Sequence, residues 1–261
     1  LGMVQKQVSA KHVAVGVKEL IELPRELLEA RFSLTENEGA AWLFAGTPSN
    51  GLMGGGFLYT NGDSLSLGIV VGLSHIADAG KSVPQMLEDF KQHPTVRPLI
   101  AGGKTVEYAA HVVPEAGINM QPKLVGNGVL IAGDAAGMCM NLGFTIRGMD
   151  MAIASGEAAA RAVLQAKEAN NFSEQGLNGY LTLLEELPVM KDLRHYRKVP
   201  AMLENPRMFT QYPQMVADIM ANVFTVNGQP PQPIRKMVMR HCKKIGYLNL
   251  LKDGIKGVTA L

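Results

Sequence analysis

The stretch from Gly128 to Leu164, GVLIAGDAAGMCMNLGFTIRGMDMAIASGEAAARAVL, constrains this chain more than any other. It opens on Val129-Leu130-Ile131-Ala132, an apolar run of the length of a buried strand. Gly133-Asp134 follows, then Ala135, Ala136 and Gly137 with little or no side chain, then Asn141-Leu142-Gly143. An Ala-rich helix is predicted from near Ile146 to about Lys167. The order is strand, acidic turn, glycine-bearing loop, helix. A helix start offers unpaired N–H groups and a partial positive charge, which suit phosphate or another electron-rich group. Small residues at 135–137 would let a ligand lie against the backbone, and Asp134 could accept hydrogen bonds from sugar hydroxyls. Gly148, Ala152, Ser155, Gly156 and Ala159 would let a neighbouring element pack closely on the helix. The plainer reading makes Asp134 the N-cap of an ordinary strand–turn–helix.

At 261 residues, 47% hydrophobic and 18% charged, the chain can bury a sizeable core in one large domain or two smaller ones. No run of about 18 uncharged apolar residues reads as a membrane span, and Leu65 to Ile76 is too short for one. Cys139 and Cys242 are far apart, have no metal-binding spacing and exclude a cluster held by four cysteines of this chain. They read as reduced thiols of a cytoplasmic protein, with a Cys139–Cys242 disulfide as the alternative. The net charge of +2 conceals an asymmetry: residues 191–261 hold 12 Lys/Arg against 4 Asp/Glu, and the preceding residues are acidic in balance. A basic tail points to an anionic partner: an acidic redox protein, a phosphate-bearing ligand or a lipid surface.

In chain order, residues 11–23 read as a strand, with Pro24 opening a short helix over Arg25 to Arg31. Residues 40–46 and 56–60 read as strands separated by a turn-rich segment, and Asn61-Gly62-Asp63 signals a hairpin into a strand over 64–73. This pattern predicts a mixed or antiparallel sheet. Gly54-Gly55-Gly56 is either a functional loop or a bulge that needs small residues. A helix over 83–92 ends before His93-Pro94, which makes His93 structural, and Lys104 to Val113 is a further strand. His75 and His111 have no recognisable catalytic partner, and no H-E-x-x-H or serine-hydrolase pattern occurs. From Phe172 onward, helices are predicted over roughly 173–187, 189–204, 207–225 and 233–245, with a short one near 247–256. Met202, Met208, Met215, Met220, Met237 and Met239 on them read as flexible core filler or as an adaptable contact surface. Arg235, Lys236, Arg240, Lys243 and Lys244 form the densest basic group; without a binding motif they do not read as a nucleic-acid site.

Gly-Asp-Ala-Ala-Gly, a glycine loop and Ala-x-x-Ser-Gly resemble the second FAD-binding motif of glutathione-reductase-like flavoproteins. Further strings resemble the electron-transfer-flavoprotein–quinone oxidoreductases, and most of all their FixC-type bacterial relatives. They are Ala14 to Glu19, Gly54 to Tyr59, Leu67 to Leu73, Phe90 to Pro94, Gly102-Gly103-Lys104, Pro114-Glu115-Ala116-Gly117 and Pro122-Lys123-Leu124. Geranylgeranyl-reductase-like enzymes share the Gly-Asp motif. The G-x-G-x-x-G that opens the family's first FAD motif is absent, so the chain reads as the C-terminal part of a longer protein.

The resemblance implies an α+β architecture: a glutathione-reductase-like FAD fold lacking its N-terminal half, with a mixed or antiparallel sheet domain and a helical C-terminal region. The implied segments are 1–113 for the quinone-side sheet domain, 114–170 for the C-terminal half of the FAD domain, and 171–261 for the helical basic region. It implies an FAD-dependent oxidoreductase that passes electrons between an electron-transfer flavoprotein and a quinone or ferredoxin-like acceptor. Gly133, Asp134, Ala135, Ala136, Gly137, Asn141, Gly143, Phe144 and Thr145 would hold FAD. Gly54, Gly55, Gly56, Phe57 and Tyr59 would lie by the quinone. No residue is assigned acid–base chemistry and no metal is implied. The implied setting is cytoplasmic, with peripheral contact at the inner face of the membrane. A geranylgeranyl-reductase-like enzyme and a non-catalytic docking module are the alternatives.

Overall fold

The computed structural model describes residues 2–4, 8–143 and 145–261, without the side chains of His75 and Asp78. Its chain forms two compact units, one of Leu1–Ala14, Val112–Ala201 and Ala260–Leu261, the other of Val15–His111 and Met202–Thr259. Residues 171–261 contribute to both units.

The second unit is built on a five-stranded sheet. Its elements begin with β1 (Val13–Glu22), α1 (Arg25–Phe32), β2 (Ala41–Phe44), β3 (Gly54–Thr60) and β4 (Ser64–Gly72). Next come α2 (Val83–Lys91), α3 (Arg97–Ile100) and β5 (Lys104–Pro114). The strand order is β2-β3-β4-β1-β5, with β2/β3 and β3/β4 antiparallel. The Asn61-Gly62-Asp63 turn closes the β3/β4 hairpin as predicted, with Gly62 at φ 81° and Asn61 N–H donating to Ser64 O at 2.8 Å.

Strand alternation sorts the two faces of this sheet. Leu58, Leu67, Ile69, Val71, Val17 and Ile21 pack in one buried cluster with Leu28 and Phe32 of α1 and Met86, Leu87 and Phe90 of α2. Each such side chain contributes roughly 1.5–3 kcal/mol by leaving water. Glu19 is buried there too, met by Lys91 Nζ at 3.0 Å and by the Thr105 hydroxyl at 3.0 Å. The other face carries Leu43, Phe57, Tyr59 and Val70 and is half open.

In the first unit the elements are short. They are β6 (Val125–Gly126), β7 (Val129–Leu130), β8 (Met140–Asn141), β9 (Ile146–Arg147) and α4 (Met149–Glu168). The strand expected over 129–132 shrinks to two half-buried residues paired with β6. The long helix starts at Met149 rather than near Ile146, because Ile146 and Arg147 pair with Asn141 and Met140.

The chain continues as α5 (Glu174–Leu177), α6 (Gly179–Glu186), α7 (Pro188–His195) and α8 (Val199–Leu203). The single helix predicted over 173–187 is broken at Asn178, and the one over 189–204 between His195 and Val199. Ala158, Ala162 and Ala166 of α4 and Tyr180 and Leu184 of α6 are buried, so the alanines serve close helix packing.

Three helices end the chain: α9 (Gln211–Phe224), α10 (Ile234–Ile245) and α11 (Tyr247–Ala260), the last longer than predicted. Met202 and Met237 are buried while Met220 and Met239 are exposed, so the methionines serve both as filler and as surface. No helix among the described residues is long and apolar enough to cross a membrane.

Candidate functional site

Gly133 to Ala136 form one 3-10 turn, which Gly137 ends at φ 69°. Ser155, fully buried on α4, fixes this turn: its hydroxyl accepts from Gly133 N–H at 3.0 Å and donates to Ala152 O at 3.0 Å. Below the turn, the buried Tyr180 hydroxyl donates to Ile131 O at 2.9 Å. Its pKa is pushed up to about 12 by burial, so it stays a donor.

Within this frame Asp134 and Ala135 are exposed, whereas Ala136 and Gly137 are buried. A Cβ on Gly137 would sit 2.9 Å from Gly117 O, so its smallness serves the protein's own packing rather than a ligand. Asp134 is not an N-cap: the residue before α4 is Gly148, and no side chain caps that helix. The Asp134 carboxylate has no hydrogen-bond partner among the described residues.

Asn141 is buried and committed internally. Its Nδ2 donates to Glu115 Oε2 at 2.7 Å, and its Oδ1 accepts from Gly143 N–H at 2.8 Å. Gly143 is exposed and Thr145 half-buried; Phe144 lies outside the described residues. Arg147 reaches Asp192 of α7 at 2.6 Å and Asp150 at 2.6 Å, which joins the hairpin before α4 to the helices after it. Along α4, Met149 and Ile153 are 85% and 73% exposed, and a Cβ on Gly156 would meet nothing within 4 Å. The small residues at 148 and 156, expected to admit a close neighbour, face open space or ordinary contact among the described residues.

The arrangement is compatible with a sugar–phosphate ligand such as a flavin dinucleotide: an exposed carboxylate acceptor without a partner among the described residues, in a turn held by Ser155, beside an α-helix start without a side-chain cap.

On the sheet, the three glycines answer to packing. A Cβ on Gly56 would lie 2.6 Å from Phe90 Cζ, one on Gly55 2.2 Å from Phe44 O, and one on Gly54 2.0 Å from Val70 O. Gly55, Phe57 and Tyr59 share the half-open face; Gly56 faces Phe90 of α2, and Gly54 lies against the β4 backbone. The Phe57 and Tyr59 rings stack with centroids 5.6 Å apart. Phe57 is seated across Gly68, its register partner, and Tyr59 is the more exposed of the two. The helix ends at Lys91, before His93-Pro94 as predicted, and His93 Nδ1 accepts from Thr95 N–H at 3.2 Å. Both cysteines are free thiols.

Residues 13–113 match the domain described as ETF-QO, ubiquinone-binding, and residues 199–261 match the ETF-QO/FixC family C-terminal domain. Over all 261 residues the chain is 68% identical to Protein FixC of Salmonella typhi. It is 64% identical to the probable electron transfer flavoprotein-quinone oxidoreductase YdiS of Escherichia coli strain K12. The chain belongs to the ETF-QO/FixC family. It spans 60% of the FixC relative's own length and 61% of YdiS. Among solved structures, a geranylgeranyl bacteriochlorophyll reductase-like protein of Thermoplasma acidophilum shares the fold, with a TM-score of 0.53 at 13% identity. That match covers 96% of this chain and 56% of the other.

In this ETF-QO/FixC chain, sequence reasoning overlooked the hydrogen-bonding role of Ser155 and any role for Glu115 beyond its place in a resembling string. Ser155 was legible only as a small residue. Glu115 had one signal, a carboxylate inside an otherwise small and apolar string, Pro114-Glu115-Ala116-Gly117. It is 6% exposed, and burial pushes its pKa up to about 7 against the lowering effect of Asn141.

Proposed function

We propose that the full protein is an FAD-dependent oxidoreductase with a glutathione-reductase-like FAD fold, passing electrons between an electron-transfer flavoprotein and a quinone or ferredoxin-like acceptor. The observation that carries this reading is the exposed Asp134, its carboxylate without a partner among the described residues, beside the uncapped start of α4, in a chain of the ETF-QO/FixC family. FAD, when bound, supplies the acceptance and release of electrons. Asp134 would hold ribityl hydroxyls, and Gly133, Ala135, Gly143, Phe144 and Thr145 would border the cofactor. Ala136, Gly137 and Asn141 would support that border from behind. The exposed row of Met149, Ile153 and Leu164 on α4 offers a seat for the remainder of the FAD domain, since the relatives are longer than this chain.

On the quinone side, the half-open face bearing Phe57 and Tyr59 supports an apolar ring contact, with Gly54, Gly55 and Gly56 giving the sheet its close packing beneath. All five basic residues of α10 are exposed, and none has an acidic partner among the described residues. They would receive an acidic redox protein: the electron-transfer flavoprotein or a ferredoxin-like subunit. A cytoplasmic protein in peripheral contact with the inner membrane face completes the reading, because a quinone acceptor is lipid-borne.

Anaerobic reduction of the full-length protein by a reduced electron-transfer flavoprotein, read as flavin bleaching, tests the proposal. Reoxidation on adding a quinone or an oxidised ferredoxin is the expected second step. A full-length protein that carries no flavin, or whose flavin neither donor nor acceptor affects, overturns it.

A further inference from the structure

Glu115 is a buried carboxyl that the proposed electron path does not use. Its backbone N–H donates to His12 O at 2.8 Å, which fixes where the side chain begins. Its carboxylate accepts from Asn141 Nδ2 at 2.7 Å, and the other end of that carboxamide accepts from Gly143 N–H at 2.8 Å. Asn141 is thus a two-ended strut. One end is anchored on Glu115, and the other holds the backbone where the chain turns between β8 and β9, just ahead of α4.

The hollow beside Glu115 has room for about 10 Å³ of solvent, on the scale of one water. Cys139, Asn141, Tyr196 and Arg197 line it with Glu115. Cys139 is neutral, its pKa pushed up to about 12 by burial and then by Glu115 and Asp134. Arg197 makes no ion pair with Glu115. With so little water and no paired cation, the strength of the strut depends on the charge of the carboxyl itself. A hydrogen bond to an ionised acceptor is about twice as strong as one to a neutral acceptor. A protonated carboxyl also presents an O–H that competes for Asn141 Oδ1, the acceptor Gly143 uses.

We propose that Glu115 is a positioning residue for the Gly143 turn, holding it firmly through Asn141 when ionised and releasing it when protonated. The turn borders the flavin site of the preceding subsection, and the consequence for flavin rests on that reading. The change falls near neutral pH, where burial has moved the carboxyl.

The experiment uses the full-length protein and two readouts. The first is the protection factor of the Gly143 amide, corrected for intrinsic exchange, measured from pH 6 to pH 8. It is expected to rise severalfold in the parent and to stay low and flat in Glu115→Gln, which keeps the shape of the side chain and removes its charge. The second is the dissociation constant of added FAD, expected to fall severalfold over the same range in the parent and to stay constant in Glu115→Gln. A parent whose Gly143 protection is independent of pH overturns the proposal without any variant. So does a Glu115→Gln protein that retains the parent's pH dependence. A full-length protein that binds no FAD but shows the exchange behaviour refutes the flavin site and leaves the Glu115 device standing.

Discussion

Arg207 grips Asp253 with two parallel hydrogen bonds, Nε to Oδ2 at 2.6 Å and Nη2 to Oδ1 at 2.9 Å, and Tyr212 Oη adds a third at 2.7 Å. The clamp ties the start of α9 and the segment before it to the middle of α11. Hydrogen bonding from Arg207, with a smaller contribution from Tyr212, holds the Asp253 carboxyl well below the usual carboxylate range against the opposing cost of burial. Because the folded pKa is depressed, the stabilisation is present above the unfolded value and is lost as pH falls below about 4. Asp253→Ala removes these hydrogen bonds but leaves a partly exposed Arg207 to water, so it is expected to cost about 1.5–3 kcal/mol at pH 7, the scale of a hydrogen bond to a charged group. Urea unfolding at pH 7 and at pH 3 checks this: the gap between parent and variant should narrow at the lower pH.

Gly56→Ala places a methyl against the Phe90 ring and is expected to destabilise by about 1–3 kcal/mol, the usual cost of overpacking. Adding Phe90→Leu should recover part of the loss, since the obstacle is a side chain. Gly55→Ala meets the Phe44 carbonyl, which is main chain, so the same second change should not rescue it. Melting temperatures of the parent, the two single glycine variants and their two Phe90→Leu doubles decide between these outcomes.

Glu115→Gln should abolish a pH trend in stability. The folded pKa of Glu115 lies above its unfolded value, so the native state alone retains the proton between about pH 4.5 and 7. Stability of the parent therefore falls as pH rises through that window, by about 3 kcal/mol across the whole of it. The variant should match the parent near pH 4.5 and exceed it at pH 8. Denaturant midpoints at both pH values measure the difference.

Asp134→Ala in the full-length protein should lower flavin content while leaving the melting temperature of the flavin-free protein unchanged. Asp134 caps no helix and binds no described residue, so the fold loses nothing with it. A charge-assisted hydrogen bond to a ribityl hydroxyl is worth about 1.5–3 kcal/mol, or roughly ten- to hundredfold in affinity. Absorbance at the flavin band after gel filtration is the measurement. An unchanged flavin content would remove Asp134 from the site.

Replacing Arg235, Lys236, Arg240, Lys243 and Lys244 with Glu should slow reduction of the flavin by a protein donor at low salt, with the difference fading as salt rises. Reduction by dithionite should be unaffected, because it needs no docking. Stopped-flow traces at two ionic strengths check this. Flotation of the parent, but not the variant, with anionic liposomes would assign the same charges to lipid instead.

Much of the sheet unit was legible because its signals are local. Alternation in β1 and β4, the Asn61-Gly62-Asp63 turn and the proline after His93 each fix geometry within a few residues. The hairpin β8/β9 was not legible, since two-residue strands leave no period to detect. Nor were the breaks at Asn178 and after His195, where apolar spacing continues across a change of direction. At the site, the turn at Gly133-Asp134 was readable from composition. The strut from Glu115 through Asn141 to Gly143 was not, because its first two members are 26 residues apart in the chain. The triple glycine leaves loop and packing open as alternatives in sequence, and Phe90, 34 residues beyond Gly56, supplies much of the packing.

The interleaving of the two units bears on how the chain is made. Residues 15–111 leave the ribosome before 112–201, and only then do 202–259 emerge to join the first group in the same compact unit. At roughly 5–20 residues per second, that delay is on the order of 5–20 s. Throughout it, the loop at Gly46 and Gly51 lacks the neighbours it later gains in Pro213 and Thr210. A nonsense codon near position 202 would therefore not merely trim a tail. It would release a sheet unit permanently arrested at its halfway stage, with surfaces for chaperones and proteases to find.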